Sequence, residues 1–85
     1  MITIYGKPDA TCFGCKKTKD RFTAAGVEFV FIDITDPANA AALAYITEEL
    51  GYQQAPVVVV EDQDHWGGLN PDNITRVIER FGAAA

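Results

Sequence analysis

The chain has 85 residues, 48% of them apolar and 22% charged, which suffices for one domain with one modest core and leaves no room for a second. Its net charge of −5 argues against general nucleic-acid binding, which needs an extended basic face. No apolar run approaches the roughly 20 residues that span a bilayer, and Met1-Ile2-Thr3-Ile4-Tyr5 is not the basic and then long apolar start of a secretory signal, so a cytoplasmic protein that touches no membrane is expected. A single domain over residues 1–82 is expected, with 83–85 as a short C-terminal tail.

Residues Ile2 to Tyr5 form a short β-prone run that Gly6-Lys7-Pro8-Asp9 breaks, which predicts a strand and then a loop. From about Phe13 to Ala25 helix-formers dominate. Cys15, Thr18, Phe22 and Ala25 fall on one face at helical spacing, and Gly26 is a C-terminal stop. Val27 to Ile34 is a continuous β-branched and aromatic run, predicted as a largely buried strand of a parallel sheet, paired with the first strand.

Asp36-Pro37 supplies a cap and a proline at the first helical position, opening an Ala-rich helix through Leu43, Ile46 and Leu50 that stops at Gly51. Gln53-Gln54-Ala55-Pro56 leads into Val57-Val58-Val59-Val60, a second buried strand. A polar turn over residues 61–64 and a short return strand at His65-Trp66-Gly67 follow. Asn70-Pro71-Asp72 repeats the cap-plus-proline signal, and the last helix carries Ile74, Val77, Ile78 and Phe81 on its apolar face before Gly82. The order is α/β: βαβ with a right-handed crossover, a helix, a hairpin and a helix.

Two cysteines are too few for a secreted disulfide framework, and Cys12 and Cys15 close a loop too small to constrain much chain. Their spacing suits a different use. A thiolate attacks a disulfide sulfur to give a mixed disulfide, and a second thiol on the same turn then releases the product. With the helix starting near Cys12, that sulfur faces free N–H groups and the positive dipole end, while Cys15 is more buried. Cys12 is therefore the expected nucleophile and Cys15 the resolving thiol.

Five of the seven basic residues (Lys7, Lys16, Lys17, Lys19 and Arg21) lie in the cysteine-bearing first 21 residues, against only Asp9 and Asp20. They either stabilise the Cys12 thiolate, with Lys7 the first candidate, or simply solvate a helix face. Phe13 is either a docking surface or an apolar lid, and is not counted as catalytic. Zinc would need four ligands, and beyond the two cysteines only His65 is an obvious candidate, so no metal is expected. Proline at the entrance to a buried strand implies either a special backbone geometry there, a cis Ala55–Pro56 bond, or a trans proline that merely starts the strand.

Taken together, Lys7-Pro8, Cys12-Phe13-Gly14-Cys15, Ala55-Pro56-Val57-Val58-Val59-Val60, His65-Trp66-Gly67-Gly68 and Pro71-Asp72 resemble the glutaredoxin-like NrdH redoxins of the thioredoxin superfamily. The resemblance spans essentially the whole chain. It implies a glutaredoxin-like thioredoxin fold, βαβαββα, with a four-stranded mixed sheet flanked by three helices, and a cis proline at Pro56. It further implies a monomeric dithiol–disulfide oxidoreductase without cofactor beyond its redox-active disulfide. Electrons would come ultimately from NADPH through thioredoxin reductase and pass to the large subunit of class Ib ribonucleotide reductase.

Phe13, Gly14, Ala55, Pro56, Trp66, Gly67 and Gly68 are the partner-binding positions this resemblance suggests. Gly67, Leu69 and Asn70 depart from the family pattern Trp-Ser-Gly-Phe-Arg-Pro-Asp, and a Gly-Gly pair before the last helix is also typical of glutaredoxins that use glutathione. There the glutathione carboxylate meets a helix N-terminus. Glutathione is thus the competing reductant. An iron–sulfur or metal carrier using the Cys12 thiolate, and a binding module with a redox-silent pair, are the alternatives from other classes. The loop from Lys7 to Cys12 is longer than the family's.

Overall fold

The computed structural model describes residues 1–82; the expected tail at 83–85 lies outside the described residues. Strand β1 (Ile2–Gly6) is followed by a 3-10 turn at Asp9–Thr11 and helix α1 (Phe13–Ala24). Strand β2 (Phe29–Asp33) leads through a 3-10 turn (Pro37–Asn39), helix α2 (Ala40–Ala44) and a π-helical turn (Tyr45–Glu49) to β3 (Val57–Glu61), β4 (Asp64–Gly67) and α3 (Pro71–Phe81). The sheet order is β2-β1-β3-β4, with β1 parallel to β2 and antiparallel to β3, and β3 antiparallel to β4. Three helices on a four-stranded mixed sheet make the expected thioredoxin fold.

Alternation along the strands divides the sheet into two faces. Ile2, Ile4, Val58, Val60 and Trp66 point to one side, where Phe22 of α1 and Ile74 and Val77 of α3 close the main core. The opposite face carries Tyr5 and Val57 and is covered by the α2 segment, with Tyr45 against Tyr5 at 5.9 Å between ring centres and Ile46 buried. Both anticipated caps form. Asp36 accepts from the Ala38 N–H and Asn70 from the Asn73 N–H, each ahead of a proline that has no N–H to satisfy. Gly26, at φ 73°, turns the chain out of α1 in a conformation costly for other residues.

Three expectations need correction. The β2 run is not largely buried: this strand lies at the sheet edge, paired only with β1, and Val30 is 44% exposed. The strand itself is shorter than the apolar run, because Val27 turns inward to the core before pairing begins. Phe81 is 42% exposed rather than in the core; the last turn of α3 reaches the end of the sheet, where the ring borders an open cavity with Met1 and Val60. The Ala-rich helix is a composite of 3-10, α and π turns, in which Leu43 faces outward at 40% exposure. Among the described residues no helix is long and apolar enough to cross a membrane.

The hairpin is tied to α3 by a two-pronged ion pair, in which Arg76 donates from Nη1 and Nη2 to Asp64 at 2.9 and 2.7 Å. These bonds hold the Asp64 carboxyl below its ordinary range. Because the native group binds its proton less readily than the unfolded one, the contribution is present above the unfolded carboxylate range and fades as pH falls through the lower native value. Asp64→Asn should therefore cost about 1 kcal/mol or less near neutrality. In urea denaturation at pH 7 and pH 3, the gap between wild type and variant should shrink on acidification; a constant gap would contradict this.

Candidate active site

The two sulfurs sit where α1 begins, above the ends of β1 and β3. Cys12 is the N-cap of α1, in extended backbone (φ −145°, ψ 93°), and its Sγ accepts the Cys15 N–H at 3.3 Å. A sulfur here takes the place of the Ser or Asp oxygen that caps most helices, and negative charge on it is favoured by the same N–H and by the helix dipole. Cys15, one turn on, is fully buried, and Cys12 is partly exposed. The two form a disulfide, with Cα atoms 5.3 Å apart.

Close contact fixes this position. A Cβ on Gly6 would lie 2.8 Å from Cys15 Sγ and 3.0 Å from the Phe31 ring, so the end of β1 must be bare for Cys15 to seat. A Cβ on Gly14 would lie 3.1 Å from Pro56 Cδ and 3.2 Å from Leu69 Cβ. The Ala55–Pro56 peptide is cis, one of the two alternatives open from sequence, and the ring is buried against the start of α1. The Gly68 N–H donates to the Pro56 carbonyl at 2.7 Å, joining the proline loop to the residues before α3.

The long loop after β1 is folded. Thr11 N–H and Oγ1 both donate to the Pro8 carbonyl, Cys12 N–H donates to Asp9 O at 3.3 Å, and Asp9 pairs with Lys19 at 2.6 Å. Lys19 also lies over the Phe31 ring, 4.0 Å from its centre. Lys16 is held by Asp20, so two of the lysines near the cysteines are committed to acids instead of to sulfur. Lys7 contacts the pair through its backbone: its N–H donates to Cys15 Sγ at 3.4 Å, while its side chain is exposed. That contact falls on the Cys15 sulfur and not on Cys12, and any residue other than proline would supply it.

Phe13 is 72% exposed and Leu69 40%, which flanks Cys12 with apolar surface. Trp66 does not belong to that surface. It is 6% exposed, because alternation on β4 turns it to the core beside Val58, with Arg76 over its ring at 5.8 Å. Gly67 and Gly68 lie beside the proline loop but are covered by Tyr52 and Gln54. His65 sits on β4 and pairs through Nδ1 with the Tyr52 hydroxyl at 2.7 Å. Sequence reasoning missed Gly6, Asp9, Tyr52 and Gln54 as site residues and took Leu69 only as a departure from the family pattern. Of these, only Gly6, a glycine closing a strand directly before the cysteine loop, carried a local signal.

This fold and this sulfur pair define a thiol–disulfide oxidoreductase of the thioredoxin superfamily. The glutaredoxin family model matches residues 2–66, and the glutaredoxin-like NrdH-redoxin of Escherichia coli superposes with a TM-score of 0.70 at 32% identity, covering 99% of this chain and 97% of that one. The chain belongs to the glutaredoxin family, as a glutaredoxin-like redoxin of the NrdH kind. The gene 56 protein of Mycobacterium phage L5 is 35% identical over 98% of this chain and 77% of its own length. Glutaredoxin grx-1 of Archaeoglobus fulgidus is similar in structure, with a TM-score of 0.74 at 28% identity over 91% of this chain and 84% of that one.

Gly6→Ala should cost about 1–3 kcal/mol in urea denaturation, because the added methyl overpacks against Cys15 and Phe31. Unchanged stability would mean that the Cys15 sulfur is free to move off β1.

Proposed function

We propose that this chain is a cytoplasmic, monomeric electron carrier that thioredoxin reductase reduces at the expense of NADPH and that in turn reduces the large subunit of class Ib ribonucleotide reductase. Its only redox group is the Cys12–Cys15 pair. In the reduced protein the Cys12 thiolate attacks a sulfur of the substrate disulfide, forming a mixed disulfide and expelling one substrate thiolate. Cys15 then attacks the Cys12 sulfur. The second substrate sulfur leaves as a thiolate, the Cys15 proton passes to the departing thiols, and Cys12–Cys15 is left oxidised. Holding Cys15 buried one turn away makes that second attack intramolecular and fast.

One observation carries the choice of reductant: the start of α3 offers few free N–H groups. Pro71 has no N–H, the Asn73 N–H is taken by Asn70 Oδ1 at 3.0 Å, and the Ile74 N–H by Asn70 O at 3.0 Å. Asp72 adds negative charge to the first turn. A glutathione carboxylate would meet a capped helix and a like charge there. The thioredoxin-like activity profile described for the Escherichia coli NrdH-redoxin supports the same choice.

Insulin disulfide reduction, followed through NADPH, compares thioredoxin reductase with glutathione plus glutathione reductase. Turnover is expected with thioredoxin reductase and should vanish in Cys12→Ser, while Cys15→Ser should accumulate a mixed disulfide on Cys12. Turnover with glutathione alone would reject the proposal.

A further inference from the structure

Gly67 and Gly68 form a strip of bare backbone beside cis-Pro56, directly before Leu69. Gly68 is held there by its bond to the Pro56 carbonyl and by a φ of 82° that side chains rarely adopt. A side-chain-free strip bonded to the proline that packs on the first turn of α1 is a surface on which a small extended peptide can lie at backbone contact distance. In this chain the strip is filled from within. The site a Gly67 Cβ would occupy lies 2.7 Å from Tyr52 Cδ1 and 3.2 Å from Gln54 Nε2; the corresponding site on Gly68 lies 3.2 Å from Gln54 Oε1 and 3.3 Å from its Nε2.

The two fillers are held differently. Tyr52 is anchored from behind by its hydroxyl on His65 Nδ1, with the rings edge to face at 5.6 Å. Gln54 is exposed, and among the described residues its carboxamide makes no hydrogen bond within the chain. It rests on the glycines by contact alone, at the rim shared with a cavity of about 230 Å³ that Lys7 and Ala55 also border. Shortening Gln54 would therefore uncover the Gly68 half of the strip without breaking a bond elsewhere, with Tyr52 still against Gly67.

We infer that Gln54 is a specificity-determining residue whose side chain fills the Gly67–Gly68 strip and so denies glutathione a seat beside Cys12. A protein partner reaches Cys12 over Phe13 and Leu69 and does not need the strip. The inference rests on the reading that thioredoxin reductase, not glutathione, is the reductant. Reduction by glutathione consumes two molecules. The first thiolate attacks Cys12 Sγ, forming a mixed disulfide and releasing Cys15 as a thiolate; the second attacks the glutathione sulfur, forming glutathione disulfide and releasing Cys12. The two protons of glutathione end on the two cysteines, and it is the second attack that a seated first glutathione orients.

The test compares how fast glutathione and dithiothreitol reduce the Cys12–Cys15 disulfide, read by quenched alkylation. Dithiothreitol closes on itself and needs no seat, so the ratio of the two rates removes any change in the disulfide itself. Gln54→Ala should raise the glutathione-to-dithiothreitol ratio at least tenfold, and Gln54→Met, which keeps the bulk and loses the amide, should leave it at the wild-type value. An unchanged ratio in Gln54→Ala, or an equal rise in both variants, would overturn the role of Gln54. Wild-type protein turning over faster with glutathione and glutathione reductase than with thioredoxin reductase would instead overturn the reading of the reductant, whatever the variants do.

Discussion

The Cys15 N–H reaches back 3.3 Å to the Cys12 sulfur at the first turn of α1, and most of the neighbouring structure serves to keep that turn where it is. Helix N-termini carry N–H groups with no partner in the helix, and here one of them is given to the Cys12 sulfur, the proposed nucleophile. The turn can sit so low on the sheet only because Gly6 and Gly14 carry no side chains against Cys15, Pro56 and Leu69. Asymmetry between the sulfurs follows from the same placement: Cys12 stays at the surface as a cap, and Cys15 is driven into the contact with β1.

The long loop before the cysteines is absorbed by folding it into a 3-10 turn and pinning it with Asp9 on Lys19. A surface ion pair is worth little by itself. Lys19, however, also rests on the Phe31 ring, and Phe31 in turn lies against Gly6, so the pin is continuous with the packing that seats Cys15. The positive charge concentrated in the first 21 residues is therefore spent partly on holding this corner together, while the Cys12 sulfur takes a backbone N–H from Cys15.

Much of this was legible in the chain, because the signals were local. The cysteine spacing, the Asp36-Pro37 and Asn70-Pro71 caps and the buried Val57–Val60 strand each depend on a few adjacent residues. What failed depended on which elements meet. The apolar character of β2 gave no hint that β1, not β2, would be flanked on both sides. Trp66 looked like a partner contact until its alternation on β4 turned it under Arg76. Gln54, nothing more than a polar residue before Ala55-Pro56, gained meaning only when the fold laid it over Gly67 and Gly68.

Helix capping is proposed to make Cys12 the attacking sulfur, and burial to reserve Cys15 for resolution. The most direct measurement is iodoacetamide alkylation of the reduced protein across a pH series, with each cysteine followed separately by mass spectrometry. Cys12 should be modified first and reach its plateau rate at lower pH than free cysteine, while Cys15 stays protected in the folded protein. Equal rates at the two cysteines, or Cys15 reacting first, would rule out this division of roles.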